Sequence, residues 1–164
     1  VILILIYNFV RKSHMPYSFE SSLGRLTQQV SKGLGKLLEY KFLQAGYAIS
    51  AAQWTVISFL NSSGKATQKQ IGRSMKVNKV MIKRMIDSLE SEGYLKRIPA
   101  NEDRRYNIVE LTNKGKSLYS ELVPYAEMTL NEVCEQIDST EIQNCLGTLS
   151  KIANKIEQFE NFSS

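Results

Sequence analysis

The chain has 164 residues and a mass of 18.6 kDa, with 43% hydrophobic and 23% charged residues and only nine Gly and three Pro. This composition excludes a disordered, collagen-like or disulfide-stapled protein and fits one ordinary globular domain. The net charge of +5 divides unevenly, as +4 over residues 1–60, +7 over 61–116 and −6 over 117–164.

A basic block ahead of an acidic tail points to a polyanionic partner for the middle of the chain alone; the plain alternative is a solvated charged face. Residues 1–10 form an apolar run, about half of the roughly 20 residues that a membrane helix needs, so no membrane association is expected. The run has no positive residue before it and no small-residue cleavage site after it, unlike a secretory signal. Ser13-His14-Met15 resembles the scar of a tag vector, with Met15 as a natural start. Residues 1–14 are therefore set aside as a non-native or tag-derived leader, the alternative being a native amphipathic segment. They hold the one histidine, His14. With Cys134 and Cys145 as the two cysteines, the chain cannot supply the four ligands of a zinc finger, and its sparse cysteine usage fits a reducing, cytoplasmic setting. No metal and no cofactor is expected.

Within 15–48, the apolar residues Phe19, Leu23, Leu26, Val30, Leu34, Leu37, Leu38 and Phe42 recur in steps of three and four, the stripe of one long helix. Gly24, Gly33 and Gly35 weaken it by up to ~1 kcal/mol each, so packing must hold it. The pattern breaks near Gly46. Ser50 with Gln53 then forms a capping box that opens a second helix, which ends at Asn61-Ser62-Ser63-Gly64.

Thr67 with Gln70 forms another capping box for a short helix to Met75. Asn78 caps a third helix to about Glu92, ended by Gly93. Two short helices joined by a tight turn are a helix-turn-helix. Residues 94–98 and 107–111 read as two strands joined by a polar turn, a β-hairpin wing. Thr112 caps a long helix that Pro124 should kink, and Asp138 with Glu141 marks the start of a final helix carrying Ile142, Cys145, Leu146, Leu149, Ile152, Ile156 and Phe159.

The fold class is mainly α with a small β-hairpin wing: a winged helix-turn-helix domain (49–112) flanked by an N-terminal helix (15–48) and C-terminal helices (113–164). The flanking stripes exceed what a winged domain of ~60 residues can cover, so they are expected to bury against each other in a homodimer.

On the third helix, Ile82, Met85, Ile86 and Leu89 share one side and form its buried face. Val80, Arg84 and Asp87 point the opposite way, flanked by Met81, Lys83 and Ser88. An exposed Arg can bridge guanine O6 and N7, while Val or Met can contact a thymine methyl. Alternatively, Val80 and Met81 pack against the neighbouring helix. Lys69, Arg73, Lys79 and Lys83 suit phosphate contacts, and the amino end of the Thr67 helix offers amides to a phosphate. Arg104 and Arg105 at the wing tip suit a narrow minor groove, with Asp103 orienting one of them; the bland reading is an exposed ion pair.

These residues carry a family resemblance. The run Asp103-Arg104-Arg105-Tyr106-Asn107-Ile108-Val109-Glu110-Leu111-Thr112-Asn113-Lys114-Gly115 resembles the wing pattern D-x-R-x-x-x-V-x-L-T-x-x-G of the MarR family of winged-helix transcriptional regulators. Ala52-Gln53-Trp54, Thr67-Gln68-Lys69-Gln70-Ile71 and Leu89-Glu90-Ser91-Glu92-Gly93-Tyr94-Leu95-Lys96-Arg97 resemble its other blocks, in order and spacing. The resemblance implies a homodimeric, sequence-specific DNA-binding regulator, usually a repressor, that binds a pseudo-palindromic operator in double-stranded DNA. It further implies release by a small phenolic or other aromatic effector. Carried onto this chain, Arg84 and its neighbours take the base-reading role and Arg105, supported by Asp103, the wing role. The family commonly has small hydroxyl residues where this chain has Val80 and Met81, so a different operator is expected.

Tyr40, Tyr47 and Trp54 are candidates for an effector pocket or plain core. Some relatives sense oxidants through a cysteine near the first helix, which is missing here; Cys145 lies within an apolar stripe and is expected to be a buried, inert thiol.

An enzyme is disfavoured. Gly64-Lys65 lacks the earlier glycine of a phosphate loop, Gly33-Leu34-Gly35 lacks the third glycine of a dinucleotide site, and there is no H-E-x-x-H. The remaining alternative is a winged-helix protein-interaction module without specific DNA binding.

Overall fold

A computed structural model describes residues 18–20, 22–99 and 107–162. Among them are six helices and three strands: α1 (Leu23–Gln44), α2 (Ala51–Ser63), β1 (Lys65–Thr67), α3 (Gln68–Met75), α4 (Lys79–Ser91), β2 (Leu95–Pro99), β3 (Asn107–Leu111), α5 (Asn113–Cys134) and α6 (Ser139–Phe162).

Local chemistry sets most of the boundaries. Ser50 and Thr67 cap α2 and α3 through complete capping boxes with Gln53 and Gln70. The Asn78 side chain accepts from the Met81 amide at 2.9 Å, and Thr112 accepts from the Gly115 amide at 3.1 Å. Each cap satisfies an amide that the helix cannot. α4 ends where Gly93 adopts φ +79°; the amides of Gly93 and Tyr94 then donate to the carbonyls of Glu90 and Leu89, both at 2.9 Å, closing the helix as a Schellman motif. Between α3 and α4 the same reversal is made by Lys76 at φ 52°, with the Val77 amide donating to the Gly72 carbonyl at 3.1 Å.

The sheet holds one strand more than the expected hairpin. β1 lies beside β3 in the order β1-β3-β2, all antiparallel. Three residues are too short for any periodicity to show; β1 is held by its pairing, with Ala66 opposite Val109 and both buried. β2 is shifted by one residue from the expected span and pairs Leu95 with Leu111 and Arg97 with Val109. α5 continues through Pro124 to Cys134. Proline lacks the amide that would donate to the Ser120 carbonyl, yet the helix does not end there.

One core joins the winged unit to its flanks. Val56, Ile57 and Leu60 of α2, Ile71 of α3, and Ile82, Ile86 and Leu89 of α4 meet Leu95, Val109 and Leu111 of the sheet, together with Phe42, Leu118 and Leu122 of α1 and α5. The flanking helices also carry exposed apolar side chains. Phe19 ahead of α1, Leu23, Leu26 and Val30 on α1, Leu130 and Val133 on α5, and Leu146, Ile156 and Phe159 on α6 are exposed. Cys145 is exposed as well, and Cys134 half-exposed. This corrects the expectation of a buried Cys145: on the α6 stripe Ile142, Leu149 and Ile152 are half-buried, but Cys145 and Leu146 beside them are exposed. No helix among the described residues is long and apolar enough to cross a membrane.

Candidate nucleic-acid interface

The rotational setting of α4 decides which side chains reach outward. Ile82, Ile86 and Leu89 are buried, and Met85 is half-buried behind them. At 3.6 residues per turn, that places Val80 and Arg84 on the opposite side. Val80 is 69% exposed and Met81 51%, so neither packs against the neighbouring helix. Arg84, Lys79 and Lys83 are exposed with them, as are Lys69 and Arg73 on α3, while Thr67 is half-buried as a cap. The structure therefore brings seven of the sequence-derived residues onto two consecutive short helices, with Thr67 capping the first. Asp103, Arg104 and Arg105 lie outside the described residues.

Charge pairing sorts these cations. Lys83 holds Asp87 one turn on at 2.9 Å. Lys69, Arg73, Lys79 and Arg84 make no ion pair among the described residues. No acidic residue stands in the first turn of α3 or α4. Helix amino ends and exposed cations, with no carboxylate in either first turn, together form a surface that attracts anions.

Asp87 does not simply project away from the core. It is half-buried, and its carboxylate accepts from Lys83 and from the guanidinium of Arg97 on β2. The Lys83 hydrogen bond, then that of Arg97, holds its carboxyl below the ordinary value. Arg97 also binds Glu90 through its guanidinium, and its backbone amide donates to Glu90 Oε1 at 3.1 Å. Its side chain is only 19% exposed. Arg97 thus ties the wing strand to two carboxylates of α4. Sequence reasoning missed this clamp, although strand alternation puts Arg97 on the same face as buried Leu95.

The base of the wing is fixed from the other side. The Thr112 hydroxyl donates to the Gly93 carbonyl at 2.7 Å, Lys114 donates to the Glu92 carbonyl at 2.7 Å, and its ammonium lies 4.6 Å from the Tyr94 ring centroid. On β3, Glu110 is paired with Lys96 of β2 at 2.9 Å, which lowers its carboxyl pKa.

The three aromatic pocket candidates separate. Trp54 stacks on Tyr119 at 5.3 Å and meets Phe42 edge-on at 5.5 Å. The Tyr47 hydroxyl donates to Glu121 at 2.8 Å, which, with partial burial, raises the phenol's pKa. Tyr47 and Trp54 thus face the same stretch of α5. Tyr40 is 59% exposed and shares none of these contacts. Tyr119 and Glu121 were missed because partner identity across helices is a tertiary property.

Comparison with known proteins agrees with this arrangement. The HTH-type transcriptional regulator YdgJ of Bacillus subtilis (strain 168) is 23% identical over 160 residues, 95% of this chain and 96% of its own length. A cysteine variant of MarR from E. coli, solved with operator DNA, superposes with a TM-score of 0.71 at 24% identity, over 79% of this chain and 92% of that one. BpsR of Bordetella bronchiseptica, solved in a study of how 6-hydroxynicotinic acid regulates its DNA binding, gives 0.74 at 22% identity, over 85% and 98%. Residues 49–106, from the start of α2 into the wing, match the family model described as MarR family. Over 49–106 the chain is thus similar to the MarR family, and its fold is the one these MarR-type structures share.

Proposed function

We propose that the protein is a sequence-specific DNA-binding transcriptional regulator, not an enzyme, and that it acts in the cytoplasm as a repressor. The observation that carries this reading is the outer face of α4, where exposed Arg84, without a carboxylate partner among the described residues, stands directly opposite the buried Ile82 and Ile86. An arginine held on a rigid helix behind a phosphate-binding rim is the arrangement that reads guanine in a major groove. Lys69, Arg73, Lys79 and Lys83, with the amino end of α3 at Thr67, serve as phosphate contacts. Arg104 and Arg105 enter the minor groove, supported by Asp103. The operator complex of the E. coli relative supports this use of the fold.

The exposed apolar residues along α1, α5 and α6 support a homodimer on a pseudo-palindromic operator, with 15–48 and 113–164 as dimerisation segments. A small phenolic or other aromatic effector would bind where Tyr47 and Trp54 meet Tyr119 and Glu121; the response of BpsR to an aromatic acid supports such control.

Fluorescence anisotropy with DNA from upstream of the gene and a scrambled duplex, at two salt concentrations, tests the reading. Tighter binding to the upstream DNA that weakens steeply with salt is expected. Absence of binding even at low salt contradicts it and favours a protein-interaction module.

A further inference from the structure

The first turn of α4 combines features that seldom share a surface. Val80 and Met81 are large apolar side chains left 69% and 51% exposed, and they stand among the exposed cations Lys79, Lys83 and Arg84. Their position is fixed. Asn78 holds the Met81 amide at 2.9 Å, and the next residue, Ile82, is anchored in the core at 2% exposure. Val80 is also stiff at χ1, so it presents its methyl groups in a defined direction.

An apolar patch enclosed by positive charge fits a surface that offers apolar groups between rows of anions. In the DNA major groove the apolar group on a base edge is the thymine C5 methyl, flanked on both sides by phosphates. Val80 has no acceptor for the cytosine amino group and Met81 offers only a weakly accepting thioether, so cytosine in that place would leave its donor poorly satisfied. We propose that Val80 and Met81 select thymine through its 5-methyl group, so that each operator half-site carries thymine at the base pairs facing the first turn of α4. This rests on the DNA-binding reading above and adds the identity of the bases and the atoms read.

The test uses the full chain and a pool of duplexes with a randomised central segment, enriched by repeated binding. The enriched duplex is then remade with deoxyuridine in place of one thymine at a time, which removes only the methyl group. At the thymines read by α4, affinity is expected to fall about fourfold per methyl, and about sixteenfold when both half-sites are changed together. Val80→Ala or Met81→Ala, changes at exposed positions that leave thermal stability unaltered, should bind the thymine and uracil forms alike at the position that each residue reads. If every uracil form of an enriched duplex binds as tightly as the parent, or if the preference survives unchanged in both variants, the assignment fails while DNA reading stands. If no sequence is enriched, DNA reading and this assignment fall together, and the patch is left to a protein partner.

Discussion

Gly115 packs directly against the carbonyl oxygen of Tyr94: a β-carbon at position 115 would overlap that oxygen and crowd Leu111. The end of the reader helix, the foot of the wing and the start of α5 are thereby joined without room for a side chain. Backbone cannot retreat as the end of a flexible side chain can. Gly115→Ala is expected to lower stability by about 1–3 kcal/mol in urea unfolding. An unchanged midpoint would show that the contact carries no packing constraint.

Arg97 holds the wing to the reader from the opposite side. Arg97→Met leaves Asp87 and Glu90 without their guanidinium and is expected to lower the midpoint of urea unfolding modestly, because both carboxylates keep access to water. Arg97→Lys should recover only part of this, because an ammonium cannot span both carboxylates as a planar fork does. Full recovery by lysine, measured by the same unfolding experiment, would reduce the clamp to simple charge.

The Asp87 pair also fixes a pH dependence. The folded carboxyl lies below its ordinary value because of Lys83 and Arg97. Stability from this pairing is therefore present above the unfolded pKa of about 3.9 and is lost as pH falls through the lower folded value. In thermal melts Asp87→Asn should be less stable than the parent at pH 7, with the gap closing as the medium passes from about pH 5 to below about pH 3. A gap that stays constant across this range would contradict the assignment.

The exposed stripe of α1 makes the dimer testable. Val30→Glu places a charge among Leu23, Leu26 and Phe19, all exposed in the single chain. Sedimentation equilibrium should show a dimer for the parent and a shift toward monomer for the variant, because burying an unpaired carboxylate is costly. A parent that sediments as a monomer at micromolar concentration would remove the dimer from the account.

What was legible in the sequence was local. Ser50, Thr67, Asn78 and Thr112 cap within their own first turns, and the spacing of Ile82, Ile86 and Leu89 sufficed to orient α4. What was missed depends on distant partners. β1 exists as a strand only because β3 lies beside it, Arg97 acquires its role from residues seven and ten positions earlier, and Trp54 is defined by Tyr119 on another helix. Cys145 shows the same limit in reverse: periodicity found its stripe but not whether anything covers it.

The central claim is that α4 reads bases while α3 grips phosphates. The most direct measurement is the ratio of affinities for an enriched and a scrambled duplex, taken for the parent, Arg84→Ala and Lys69→Ala. Arg84→Ala should lose about 1–3 kcal/mol on the enriched duplex and little on the scrambled one, collapsing the ratio. Lys69→Ala should weaken both duplexes evenly and reduce the salt slope by about one. Equal losses on both duplexes with Arg84→Ala would contradict base reading by α4.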